Sequence, residues 1–311
     1  MKIFHMVMLL SVIALQTMGE AVDLKGIFPP SVKCVSIVAP SSHAGVEIVV
    51  AVTNGLGQAG YKVKVADSVW TYSADPAVRA RDIEKAWLDP ETDLVLCARG
   101  GRGGWDTVTN LNFSVLKSRN VPFVGFSNIS TLMNAFIAQG VHHPITGPMC
   151  STLSRGKYPR DARERLCQTV AGEPLAATQL KVLRATPTTV TGKPVGGHWP
   201  SISRMEAPYL PDTTGRVAFL EINRTYTFDT ATNTFAVLKR KGYFKSLSAA
   251  VLCDFGIRGT AEEKEKLRKH VVGELTCPVF SGYPYGHIGR IYAIDYEREL
   301  AISPSGLLTW K

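Results

Sequence analysis

Pro122-Phe123-Val124-Gly125-Phe126-Ser127-Asn128-Ile129-Ser130 is the stretch that decides the fold. The apolar run up to Phe126 reads as a buried strand, and a helix starts directly after Ser127. Ile129, Leu132, Met133, Phe136 and Ile137 recur at i, i+3, i+4, i+7 and i+8, which puts them on one helix face. A strand that turns so sharply into a helix lifts the intervening side chain above the sheet, at the positive end of the helix dipole. Ser127 holds that place, and Gly125 leaves room for the turn. Two readings follow. Ser127 is a nucleophile on an elbow, or it is an N-cap, a role serine fills well. The Gly-x-Ser-x-Gly pattern is incomplete, because Ile129 stands at its last position.

Outward from this elbow, strands and helices alternate. Cys34–Val38, Tyr61–Val65, Asp93–Ala98 and Pro122–Phe126 read as short apolar strands. Helices are expected near 46–57, over Ala77–Leu88 and Asn112–Ser118, and from Ile129 to Gly140. Asp89-Pro90 ends the second of these, since proline cannot continue a helix. Such alternation implies a parallel sheet covered on both faces, with active groups at the carboxyl ends of its strands. A further helix near Arg163–Ala171 runs into the break Gly172-Glu173-Pro174.

Beyond that break the texture is β-rich and glycine-punctuated. Gln179–Leu183, Thr188–Val190, Arg216–Glu221, Ala249–Asp254 and Pro278–Gly282 read as strands, with helices at Thr232–Lys241 and Glu262–Val272. The reading is an α/β chain of two domains. An N-terminal parallel-sheet α/β domain (residues 26–175) carries the serine elbow, and a smaller β-rich α+β domain (176–311) follows. The chain length of 311 residues accommodates both.

Residues 1–21 stand apart. Lys2 precedes the apolar run Met6–Leu15, and Gly19 and Ala21 place small residues before a cut after Ala21. This is the layout of a secretory signal peptide. The alternative is a buried N-terminal strand or helix. The run is shorter than the roughly 20 residues that span a bilayer. An exported, periplasmic or secreted protein is expected, with no membrane insertion after cleavage. A homodimer is compatible with the reading.

Composition excludes other classes. Hydrophobic residues at 45% are enough for a core, which excludes a disordered chain. The net charge of +9 raises a nucleic-acid reading. The basic clusters, Lys239-Arg240-Lys241 and the run Glu262–Lys269, lack the aromatic interleaving that nucleic acid requires, so no such partner is expected. Six cysteines lack any Cys-x-x-Cys or Cys/His ligand spacing, so no metal is expected. Cys34, Cys97 and Cys253 lie in strand-like runs and read as buried thiols, while pairing of Cys150 with Cys167 stays open.

A serine nucleophile needs a base and a group to orient it. His43, His142, His143 and His198 read as loop residues, and His270 lies on a charged helix. His287 ends the loop Gly282-Tyr283-Pro284-Tyr285-Gly286-His287 directly after a strand, where a base belongs; its alternative is packing against Tyr283 or Tyr285. Glu221 ends the apolar strand Val217–Leu220, so its carboxylate needs a cationic partner. Arg224 is the alternative to a catalytic one.

These segments together resemble the LD-carboxypeptidase family of serine peptidases, which includes muramoyl-tetrapeptide carboxypeptidases and the microcin C immunity peptidase. Val38-Ala39-Pro40-Ser41-Ser42, Ala98-Arg99-Gly100-Gly101, Gly125-Phe126-Ser127, Gly147-Pro148-Met149, Leu220-Glu221 and the Gly282–His287 loop carry the resemblance, in the family's order. It implies a Ser127–His287–Glu221 triad in a cleft between the domains. It also implies an oxyanion hole from backbone N–H groups of Asn128 and the Gly100-Gly101 loop, and no metal or organic cofactor. The implied reaction is hydrolysis of the bond to terminal D-Ala in peptidoglycan tetrapeptides, and Arg99 and Arg102 are candidates to meet the substrate carboxylate.

Four segments depart from the family pattern. Asn128 stands where the family has Asp, and Gly196-Gly197-His198-Trp199 stands for Gly-Gly-Asn-Leu. Arg102-Gly103-Gly104-Trp105 replaces the usual Tyr-Gly continuation of the glycine loop, and Asp229-Thr230 stands where Asp-Arg is expected. These departures keep two alternatives open: a cleft that binds peptide without cleaving it, and a serine peptidase or amidase for another acyl-peptide. An α/β-hydrolase shares the Ser…Glu…His order but is disfavoured by the β-rich texture after residue 178.

Overall fold

The computed structural model describes residues 22–311, so the segment read as a signal peptide lies outside the described residues. Strands Cys34–Val38 (β1), Lys62–Val65 (β2), Leu94–Cys97 (β3), Phe123–Gly125 (β4) and Pro144–Thr146 (β5) lie parallel, in the order β5-β4-β3-β1-β2. β1, β3, β4 and β5 are buried at every position, which explains their largely apolar runs. The covering helices obey their local signals. Pro76 occupies the first turn of Pro76–Leu88, and the Asp75 side chain caps it by accepting from Ala77 N–H. That helix stops one residue before Asp89-Pro90.

The chain then forms Thr178–Gln179 (β6), Lys181–Arg184 (β7), Val190–Gly192 (β8), Pro194–His198 (β9), Val217–Ile222 (β10), Ala249–Phe255 (β11) and Val279–Ser281 (β12). A five-stranded sheet has the order β7-β12-β11-β10-β9, parallel from β9 to β12, with β7 antiparallel at its edge. Helices Phe228–Arg240 and Ala261–Glu274 connect β10 to β11 and β11 to β12. The second half therefore contains repeated strand–helix units that its glycine-rich texture conceals. β9 reads Pro-Val-Gly-Gly-His and has little strand character, because a Cβ on Gly196 would lie 2.5 Å from the Phe219 carbonyl oxygen of β10. The helix expected from Thr232 begins at Phe228, one turn earlier, where Thr227 and Thr230 form a capping box.

Ile294–Asp295 (β13) returns to the first sheet and pairs antiparallel with β5. Leu300–Ile302 (β14) and Leu307–Trp310 (β15) complete an antiparallel sheet of order β6-β15-β14-β8. The architecture is mixed α/β, and the two large sheets meet at the helix after the elbow.

That helix, Ser130–Gln139, departs from the one-faced pattern of its sequence. Every residue from Ser130 to Phe136 is buried, polar ones included. The polar residues face the second sheet. Ser130 Oγ accepts from His198 N–H, Asn134 Nδ2 donates to the Gly196 carbonyl, and Asn134 Oδ1 accepts from the Tyr243 hydroxyl. One further expectation changes here, and one open point is answered. His198 is not a loop residue but the buried last residue of β9. Cys150 and Cys167 do not pair, and all six thiols are free.

Candidate active site

Ser127 sits at the carboxyl end of β4, opening the short 3₁₀ turn Ser127–Ile129 ahead of the helix. Its φ is +64°, the left-handed region that a serine enters only under constraint. Its hydroxyl hydrogen-bonds His287. The elbow holds it for this partner across the cleft. Ser127 Oγ lies 2.9 Å from His287 Nε2, and His287 Nδ1 lies 2.9 Å from Glu221 Oε2. The sequence placed these three residues on three separate segments, and the fold brings them into one hydrogen-bonded line. Glu221 pairs with this histidine and not with Arg224.

The electrostatics suit the arrangement. Glu221 is fully buried, which alone would raise its pKa; the imidazoles of His287 and His198 and the hydrogen bond from His287 outweigh burial and hold the carboxyl below its usual range. Burial likewise disfavours the His287 imidazolium, but Glu221 and the carboxylate of Asp254 carry its pKa above the ordinary histidine value. With a proton on Nδ1 facing Glu221, Nε2 is free to accept the serine proton. Asn223 Nδ2 also stands 3.1 Å from Nε2 as a donor, which favours the same tautomer.

Backbone shape supports the histidine loop. Gly286 has φ +127°, and a Cβ there would lie 2.5 Å from Asp254 Cβ and 3.3 Å from Glu221 Cβ. Only glycine lets the loop lie flat against the two acidic strand ends. On the other wall, a Cβ on Gly100 would stand 3.0 Å from Ser127 Cβ and 3.4 Å from the Asn128 backbone nitrogen. The Gly100-Gly101 loop thus borders the space above the serine. Asn128 is buried, and its side chain binds Ser41, Gly104 and Ser201. Arg99 and Arg102 are exposed; the Arg102 carbonyl accepts from Arg204 of the second half at 3.1 Å.

Sequence reading missed Asn223, Asp254, Ser201 and Arg204, and it misplaced His198. Asn223 had one signal, its place two residues beyond Glu221. Asp254 is the penultimate residue of β11, beside the end of β10, a position visible only once the strand order is known.

Residues 35–146 match the LD-carboxypeptidase N-terminal domain, and residues 191–302 match the LD-carboxypeptidase C-terminal domain. A Streptomyces coelicolor protein named as a carboxypeptidase is 30% identical over 220 residues, covering 68% of this chain and 69% of its own. A Bacillus subtilis protein named as a murein peptide carboxypeptidase is 25% identical, covering 72% and 73%. Among solved structures, a muramoyltetrapeptide carboxypeptidase from Oxalobacter formigenes superposes with a TM-score of 0.77 at 21% identity, over 89% of this chain and 98% of that one. A microcin C7 self immunity protein superposes at 0.74 and 15%, over 91% and 98%. Two matched domains covering most of the described chain, with a relative of this identity and coverage, establish that the chain belongs to the LD-carboxypeptidase family of serine peptidases.

Proposed function

We propose that the protein is a serine LD-carboxypeptidase that removes the terminal D-Ala from peptidoglycan tetrapeptides, using Ser127, His287 and Glu221. The line Glu221–His287–Ser127, with both hydrogen bonds at 2.9 Å, is the observation that carries it. His287 takes the Ser127 proton as Oγ attacks the scissile carbonyl, and returns it to the leaving amine of D-Ala. Glu221 holds the imidazole tautomer and stabilises the imidazolium. Backbone N–H groups of Asn128 and the Gly100-Gly101 loop receive the oxyanion; one such donor is worth about 2.7–4 kcal/mol of barrier. Water then cleaves the acyl-enzyme with His287 as base. Arg99 and Arg102, exposed beside the Gly100-Gly101 loop, supply positive charge for the substrate carboxylate. The leader-like N-terminus supports action outside the cytoplasm, where peptidoglycan peptides occur.

A second reading, hydrolysis of another acyl-peptide, draws on the comparable superposition with the microcin C7 self immunity protein. Supplying the purified protein with a muropeptide tetrapeptide and measuring free D-alanine tests the first reading. Cleavage of a peptidyl nucleotide with no D-alanine release would favour the second.

A further inference from the structure

Glu221 uses only one of its oxygens in the triad. Oε2 takes His287, while Oε1 is buried without a partner. His198 is the register partner of Glu221 on β9, so the two side chains leave the sheet on the same face. His198 is itself 3% exposed, and its Nε2 is also buried without a partner. A histidine and a carboxylate thus stand side by side, each with one polar atom unanswered.

The proton positions leading to His198 follow from Asn128. Its Oδ1 accepts from Gly104 N–H at 2.7 Å and from the Ser41 hydroxyl at 2.6 Å. A backbone N–H can only donate, so the amide orientation is fixed. Nδ2 therefore donates to Ser201 Oγ at 2.9 Å. Ser201 is buried, and its own O–H needs an acceptor; His198 Nδ1, 2.7 Å away, supplies one. That leaves the His198 proton on Nε2. Burial keeps the ring neutral, pushing its pKa down to about 4.

We propose that Asn128, Ser201 and His198 form a directional hydrogen-bond relay that holds His198 as the neutral Nε2–H tautomer, a positioning residue whose N–H dipole favours the ionised Glu221. The proposal rests on the triad reading above. The groups around this pair are Glu221 on β10, Asp254 on β11, His287 in its loop, and Tyr226, whose ring centroid lies 5.4 Å from that of His198. None of them donates to Nδ1 in place of Ser201. Positions 128 and 198 are the two ends of the relay. An amide at 128 provides the donor that a carboxylate there lacks, so the direction of the whole chain depends on it.

Two-bond ¹H–¹⁵N spectra of the wild-type protein at neutral pH read the tautomer directly, with the His198 signals assigned by their loss in His198→Gln. The neutral Nε2–H form is expected; an Nδ1–H form or an imidazolium overturns the proposal. This measurement needs no turnover, so it stands apart from the choice of substrate. In Asn128→Asp the Ser201 hydroxyl turns to the new carboxylate, and His198 is expected to switch to Nδ1–H. A folded Asn128→Asp protein that keeps Nε2–H overturns the relay. Ser201→Ala supplies a second variant, in which the His198 preference for Nε2–H is lost; its retention counts against the relay. In turnover, Asn128→Asp and His198→Asn each lower kcat about tenfold with little change in KM. The double variant regains most of the loss, because the carboxylate accepts what the amide at 198 can donate through Ser201. Losses that simply multiply would contradict the coupling.

Discussion

Glu221 Oε2 and His287 Nδ1 stand 2.9 Å apart, although two helix–strand units separate them along the chain. The carboxylate is fully buried while the imidazole reaches the cleft, with 27% of its side chain exposed. A buried negative charge beside a half-buried imidazole stabilises the protonated ring, so its pKa lies above the usual value of 6.5. Because His287 works as a base only when neutral, activity rises as pH climbs through that raised pKa. The acid limb of kcat/KM is therefore expected above pH 6.5. Glu221→Gln removes the charge and leaves the burial, so the limb should move to lower pH while kcat falls. A limb that stays in place in this variant contradicts the assigned pairing.

The elbow stores backbone strain, and the strain is measurable. Ser127 at φ +64° costs on the order of 1–2 kcal/mol for any residue with a Cβ. Ser127→Gly and Ser127→Ala both lose the nucleophile, but only the first relaxes the backbone. Thermal melting should place Ser127→Gly above Ser127→Ala by about 1 kcal/mol, a gap of roughly 2 °C. The reverse order would mean that the turn is unstrained.

Gly100 tests the wall of the oxyanion space. A methyl group there stands 3.1 Å from Ser127 Oγ and 3.4 Å from the Asn128 nitrogen. Gly100→Ala should fold normally and lose about 100-fold in kcat, in line with the removal of one oxyanion donor. A large rise in KM at unchanged kcat would instead place this loop in substrate binding alone.

Asn134 ties the helix after the elbow to the second half through one buried amide. It donates to the Gly196 carbonyl at 2.8 Å and accepts from the Tyr243 hydroxyl at 2.6 Å. Asn134→Ala leaves the buried Tyr243 hydroxyl without its acceptor, while the Gly196 carbonyl keeps the Tyr296 hydroxyl as a donor, at a cost of about 1–3 kcal/mol. The urea midpoint should fall with the m-value unchanged, provided both halves unfold together.

Most of the first sheet, and the three residues Ser127, Glu221 and His287 whose side chains meet, were legible because their signals are local. An apolar run between polar turns marks a buried strand, and an elbow serine, a strand-terminal glutamate and a post-strand histidine each carry their own context. What stayed hidden depends on the partner across a gap. The strand holding Gly196-Gly197-His198 exists because β10 presses against it, and its glycines erase the apolar signature. The polar residues of Ser130–Gln139 carried no signal of their own, since their burial depends on hydrogen-bond partners that the second half supplies. Asn223 and Asp254 reach His287 only through strand order and loop closure, which no spacing along the chain encodes.

The release of free D-alanine from a muropeptide tetrapeptide, by the wild-type protein and by Ser127→Ala side by side, tests the central claim most directly. The account predicts steady release by the wild type and a rate lower by at least about 10⁴-fold in the variant, as the loss of a triad nucleophile requires. Equal release by both, or none by the folded wild type, would contradict it.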